Sequence, residues 1–254
     1  MTQSAQPLRI LGVRVDDVTM QEACDRLSLL MEQGGVHQVA TVNPEFIMAA
    51  QRDPEFAMLL EHTALNVPDG VGVLWAAKRM GRPLRERVAG VDMMHQLCAR
   101  GSQYKWRAFF LGAQPGIAER AAANLALKYQ GLVVAGTFAG SPHPDGDSEV
   151  LARVRKARPN LLFVAYGAPA QDKWLARNLP RLELAPPPEG APAGVVGIGV
   201  GGAFDFLTGI QKRAPNWMQH MGLEWLYRLG RQPWRWRRQL ALIRFSLAVM
   251  LQST

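Results

Sequence analysis

No apolar run in this 254-residue chain approaches the roughly 20 residues that a bilayer-spanning helix needs, so no transmembrane helix is expected. The N-terminal stretch MTQSAQPLRILGVRVDD lacks the basic and then long apolar order of a secretory signal, and a cytoplasmic protein is the expectation. Cysteine is scarce. Cys24 and Cys98 fall in helix-like apolar patterns without CxxC spacing, which points to buried free thiols and away from a disulfide framework. The histidines His37, His62, His95, His143 and His220 form no HxxxH or HxH pair, so a metal centre has little support. GxSxG, P-loop and Cys-His signatures are missing too. Acid is scarce in one region: residues 211–254 hold eight Lys or Arg against the single acid Glu224, so nearly all of the formal net charge of +8 belongs to a tail. A tail of that kind calls for an acidic partner, either an anionic membrane surface or nucleic acid.

What is present is a regular alternation of short apolar runs and helical patterns. Leu8 to Val15 reads as a strand, and Thr19-Met20-Gln21-Glu22 is a capping box opening a helix to about Gln33, ended by Gly34-Gly35. The strand Val36 to Val42 delivers Thr41 and Asn43 to its carboxyl end, where Pro44 suits the first turn of a helix. Leu65 to Pro68 ends at Asp69-Gly70, Trp106 to Leu111 at Gly112, and Leu161 to Tyr166 at Gly167. Leu132 to Phe138 and Gly194 to Gly199 complete the strands, and from Ala214 only helices follow. This order predicts an α/β fold: a Rossmann-like, doubly wound, mainly parallel sheet over residues 1–205 and a C-terminal helical appendage over 206–254.

Ligands of such sheets bind outside the carboxyl ends of the strands, which singles out Asp69. An Asp between a strand and a helix either caps the helix or faces the cleft as a general base. Arg79, Arg82, Arg85 and Arg87 follow it, then Gly90 and a second acid, Asp92; such basic residues suit a phosphate-bearing substrate or a solvated loop. Gly197-Ile198-Gly199-Val200-Gly201-Gly202 matches the dinucleotide fingerprint, but neither the helix due directly after its third glycine nor the acid on a second strand is expected here. These glycines let a pyrophosphate approach the backbone or let the sheet pack closely. Asp145-Gly146-Asp147 looks like a metal-holding DxD, and equally like a turn ending in a helix cap; the turn is favoured. In the tail, Arg228, Arg231, Arg235, Arg237, Arg238 and Arg244 interleave with Trp225, Trp234 and Trp236 beside an apolar stretch, Gln239 to Leu251. That composition suits a helix lying on a membrane surface first, a helix packed on its own domain second, and a nucleic-acid platform third.

Several blocks together resemble the WecG/TagA/CpsF glycosyltransferases. They are Thr41-Val42-Asn43-Pro44-Glu45, Pro68-Asp69-Gly70, Arg87 with Gly90-Val91-Asp92, Phe110-Leu111-Gly112, Gly167-Ala168-Pro169-Ala170-Gln171-Asp172-Lys173-Trp174, Val200-Gly201-Gly202-Ala203-Phe204-Asp205, Arg213-Ala214-Pro215, and Gly222 to Leu229. The resemblance implies a sugar transfer from a UDP-sugar to a polyprenyl-diphosphate-linked acceptor in surface polysaccharide or teichoic acid synthesis, at the inner face of the membrane. It implies Asp69 as general base, with Thr41, Asn43, Arg87, Gly90, Asp92 and Gln171 around the substrates. Gly112, Gly167, Gly199, Gly201 and Gly202 would lie beside the nucleotide, and Arg228, Arg235 and Arg238 would reach over the cleft to the diphosphate. No cofactor and no DxD metal are implied, nucleic acid is not a partner, and an oligomer is allowed. This chain departs from the family in reading Gly136-Thr137-Phe138 where a Gly-Tyr-Phe is frequent, and in a long proline-rich loop, Ala185 to Ala193. The alternative from another class is a non-catalytic nucleotide-sugar or membrane-binding module.

Overall fold

The computed structural model describes residues 7–182, 192–211, 213–215, 218, 224–231 and 236–252. It contains a six-stranded, all-parallel sheet formed by β3 (Val36–Val42), β4 (Leu65–Pro68), β5 (Arg107–Gly112), β6 (Val133–Phe138), β7 (Leu161–Ala165) and β8 (Val195–Gly199) in the order β4-β3-β8-β7-β5-β6. Side chains alternate across it with the two-residue period of a strand. Ala108 and Phe110 of β5 point to one face with Leu161 and Phe163 of β7, whereas Phe109, Leu111, Leu162 and Val164 point to the other. The first face is covered by α1 (Met20–Gln33), α5 (Gly90–Tyr104), α6 (Ile117–Lys128) and the short α9 (Ala203–Leu207). The second is covered by α7 (Asp147–Ala157) and α8 (Ala170–Asn178) and, toward the β3 side, by α2 (Pro44–Ala50) and α3 (Pro54–His62). With both faces covered, the near-continuous apolar runs of the inner strands have a place to go.

The sequence reading of one strand from Leu8 to Val15 is corrected. The segment is a hairpin of β1 (Leu8–Ile10) and β2 (Val13–Val15), antiparallel and separate from the main sheet. It turns at Leu11 and Gly12, both at positive φ (48° and 83°), the combination a two-residue hairpin turn requires. The apolar alternation survives the turn, because Leu8, Ile10, Val13 and Val15 all enter the core shared with α2, α3 and α4 (Val71–Arg79). The Thr19 capping box forms as expected, with the Glu22 N–H donating to Thr19 Oγ1 at 3.2 Å and the Thr19 N–H donating to Glu22 Oε2 at 3.1 Å. Arg85, read as a candidate phosphate contact, is instead drawn onto α1, where it pairs with Asp17 at 3.0 Å and Glu22 at 2.6 Å.

The tail contributes α10 (Glu224–Arg231) and α11 (Trp236–Leu251). One side of α11 is packed, its Phe245 and Val249 being buried among residues of α2 and α4. Leu240, Ile243, Leu247 and Met250, spaced along a helix at three and four residues, remain exposed. Among the described residues no helix is long and apolar enough to cross a membrane.

Candidate active site

Loops from the carboxyl ends of all six strands of the main sheet enclose a cleft of about 560 Å³. It opens at a topological switch point: from β5 the chain winds outward to β6, and from β7 it winds back to β8. Thr41 and Asn43 line it from β3, Asp69 from β4, Gln114 from β5, Gly140 from β6, Tyr166 and Gly167 from β7, and Gly201 and Gly202 from β8.

Asp69 does not cap the helix that follows it. The N-cap of α4 is Gly70, at φ 99° and without a side chain to offer, and the helix has no side-chain cap bond. The left-handed glycine turns the preceding carboxylate toward the cleft instead. The Asp69 N–H donates to the Val42 carbonyl at 2.8 Å, and the Val88 N–H donates to the Pro68 carbonyl at 2.8 Å, which brings Ala89-Gly90 alongside. The Gly90 N–H then makes a long hydrogen bond, 3.5 Å, to Asp69 Oδ2. Gly90 opens α5, so the half-buried carboxylate faces the positive end of a 15-residue helix. A side chain at Gly90 would put its Cβ 3.2 Å from Thr41 Cγ2, so the glycine keeps β3 and α5 close.

Thr41 and Asn43 also have structural duties. The Thr41 hydroxyl donates to the Gly199 carbonyl at 3.2 Å, and Asn43 caps α2 by accepting from the Phe46 N–H at 3.1 Å. The block Gln171-Asp172-Lys173-Trp174 divides its work residue by residue. Gln171 is buried under the cleft floor and accepts from the Gly201 N–H at 2.9 Å, which fixes the turn after β8. Lys173 bridges to Asp53 and Glu55 at the start of α3, and Trp174 is wholly buried.

Asp172 is wholly buried, and neither of its carboxylate oxygens finds a hydrogen-bond partner among the described residues. Burial pushes its pKa up to about 7. A folded pKa above the unfolded value of about 3.9 means that this group's contribution to stability is full below about pH 4 and is lost as the pH rises through about 7. The slope between is up to about 1.4 kcal/mol per pH unit. Asp172→Asn removes that slope, so the variant's stability relative to wild type rises from pH 5 to pH 8 in chemical denaturation. An unchanged difference between the two pH values would mean that Asp172 is ionised in the fold throughout.

Other expected site residues lie elsewhere. Gly112 and Gly199 do not line the cleft. Gly112, at φ 102°, stands where a Cβ would meet the Ala165 backbone at 2.8 Å, and a Cβ on Gly199 would meet Gln171 Nε2 at 2.5 Å and Asp172 Oδ1 at 2.8 Å. Both glycines serve close packing. Arg87, half-buried in the loop before α5, and Asp92 are not among the lining residues either; Asp92 holds Arg213 through both oxygens, at 2.5 and 3.1 Å. Arg213, which does line the cleft, was missed as a site residue although its Arg-Ala-Pro block was visible, because nothing in the spacing joins it to Asp92. Arg235, Trp234 and the loop 183–191 lie outside the described residues. The positions of Arg228 and Arg238 on α10 and α11 are described, but their side chains are not.

The glycine-rich run after β8 is followed directly by a helix after all, α9, but it has only five residues, and no strand follows it among those described. Asp147 is not an N-cap, a position that Gly146 holds. It is the first residue of α7, buried, and pairs with Arg177 through both oxygens at 2.7 and 3.0 Å, while Arg177 and Arg181 hold it ionised. Cys24 and Cys98 are free and buried, their thiols pushed up by burial to about 11 and about 12.

A parallel α/β sheet with glycine turns, and with a half-buried carboxylate and a buried glutamine around one polar cleft, places the protein in the Rossmann-like class. The chain belongs to the WecG/TagA/CpsF family of glycosyl transferases, whose family model matches residues 8–254. It is 32% identical over 212 residues to the N-acetylglucosaminyldiphosphoundecaprenol N-acetyl-beta-D-mannosaminyltransferase of Bacillus subtilis strain 168, covering 84% of this chain and 78% of that one. It is 27% identical over 226 residues to the protein of the same description from Staphylococcus aureus strain NCTC 8325, covering 86% and 82%.

Proposed function

We propose that the protein is an inverting glycosyltransferase that moves an N-acetylhexosamine or a related sugar from a UDP-sugar to a sugar carried on a polyprenyl diphosphate, in bacterial surface polysaccharide or teichoic acid synthesis. The observation that carries this reading is the carboxylate of Asp69, turned into the cleft by Gly70 instead of capping α4. The descriptions of the relatives support the acceptor class and the amino sugar.

In this reading Asp69 takes the proton of the acceptor hydroxyl as that oxygen bonds to the anomeric carbon. The bond from that carbon to the UDP phosphate oxygen breaks, and its electron pair leaves with UDP. A single displacement of this kind inverts the anomeric centre. Thr41, Asn43, Gly90 and Gln171 shape the substrate space, and the backbone of Gly167, Gly201 and Gly202 faces the nucleotide. Arg87, with Arg228, Arg235 and Arg238 from the 206–254 appendage, meets charge on the diphosphates. The exposed apolar stripe of α11, with Arg237 and Arg244, rests on the anionic inner face of the membrane. The test is incubation with a panel of UDP-sugars and a lipid-diphosphate-linked sugar, with UDP release as the readout; no release with any donor sinks the reading.

Because Asp147 is committed to Arg177, the reaction is expected to keep its rate in EDTA. Loss of turnover on chelation, restored by Mn²⁺ or Mg²⁺, would return Asp145 and Asp147 to the mechanism.

A further inference from the structure

Among the described residues that line the cleft, the charged side chains are three carboxylates, Glu45, Asp69 and Asp205, and one cation, Arg213. A diphosphate bound in this partly desolvated space is stabilised where an oriented cation meets its charge. We infer that Arg213 is a diphosphate-binding residue and that Asp92 is its positioning residue. The inference rests on the transferase reading above and adds a residue to it.

The geometry fits the task. Arg213 lies at the junction of the main cleft and a smaller cavity of about 180 Å³, and Arg213, Val91 and Phe206 border both. Asp92, in the first turn of α5, holds the two terminal nitrogens of Arg213 in a bidentate pair. Such a pair fixes the guanidinium plane, which a lysine could not reproduce. The same first turn supplies the Gly90 N–H that touches Asp69, so one helix start sets both the carboxylate and the cation. The Arg213 side chain is about a quarter exposed, so its charge is screened less than that of a surface arginine. As the donor bond breaks, negative charge grows on the departing phosphate oxygen, and an oriented guanidinium stabilises it.

Both the UDP donor and the lipid-linked acceptor carry a diphosphate, so the experiment has two arms. In the first, full-length wild type, Arg213→Ala, Arg213→Lys and Asp92→Asn are titrated with UDP and with uridine. In the second, KM is measured for a short-chain prenyl-diphosphate-linked acceptor. The expected result is that Arg213→Ala weakens UDP binding by about 10- to 100-fold and leaves uridine binding unchanged. Arg213→Lys should fall in between, and Asp92→Asn should lower the UDP-to-uridine preference by a smaller factor. That ratio is insensitive to a general loss of structure, which would weaken both ligands together. A rise confined to the acceptor KM also supports diphosphate binding and assigns it to the lipid substrate. Equal losses on UDP and uridine, or a wild-type ratio and acceptor KM in Arg213→Ala, overturn the inference. A wild type that prefers neither UDP over uridine nor the diphosphate acceptor overturns the transferase reading as well.

Discussion

Asp69→Asn is expected to lower turnover by about 100-fold or more, equivalent to about 2.7 kcal/mol of transition-state stabilisation, while the protein folds and binds UDP much as wild type does. Asparagine keeps the size of the side chain and leaves a carbonyl oxygen to accept the long bond from the Gly90 N–H. What it lacks is a basic oxygen for the acceptor's proton. The structural cost is expected to be small because the cap position of α4 belongs to Gly70. Had Asp69 been the cap, its loss would cost about 1 kcal/mol of stability and the rate would follow the folded fraction. The two cases separate cleanly when the rate is measured with saturating donor and acceptor and the melting temperature is measured alongside. A variant that turns over near the wild-type rate removes Asp69 as base.

The second large effect concerns the tail. Removal of residues 211–254 is expected to abolish both binding to anionic vesicles and turnover, through more than one cause. The arginines proposed to meet substrate and lipid go, and so do Phe245 and Val249, whose burial against α2 and α4 closes one core of the fold. Point variants separate these causes. Phe245→Ala is expected to cost about 3–5 kcal/mol of stability. Ile243→Ser with Leu247→Ser, at positions 58% and 51% exposed, should leave the melting temperature unchanged and sharply reduce flotation with vesicles. Turnover on a short, soluble acceptor should persist. Each Lys or Arg near an anionic surface contributes about 1 kcal/mol, so neutralising Arg237 and the exposed Arg244 should make vesicle binding weaker and more sensitive to salt. A double-serine variant that floats like wild type would leave the stripe without a membrane role.

The helix packed on its own domain and the helix presented to a lipid surface were rival readings of one sequence. The fold accommodates both, since the faces of α11 differ: Phe245 and Val249 point inward, and Ile243 and Leu247 point out. A periodic pattern carries that much, but which face meets protein depends on where α2 and α4 lie.

The alternation of apolar runs with helical patterns, capped by Thr19 and punctuated by Gly34, Pro44 and Gly70, determined the α/β class and the place of each sheet strand to within a residue or two, because these are local, short-range effects. Local chemistry also placed Thr41, Asn43 and Asp69 beside a cleft, since strand ends in a parallel sheet converge on one edge, whereas Gln171 was implied only by the family resemblance. The hairpin at Leu11-Gly12 escaped because alternation looks the same through a two-residue turn that preserves it. The sheet order, the burial of Asp172 and the steric reasons for Gly112 and Gly199 could be decided only in three dimensions. The same holds for the choice between cap and cleft at Asp69, which turned on whether the residue after it took a left-handed φ. Most of all it holds for the pair of Asp92 with Arg213, 121 residues apart in the chain, because no spacing rule records which side chains the folding of a sheet brings within hydrogen-bonding distance.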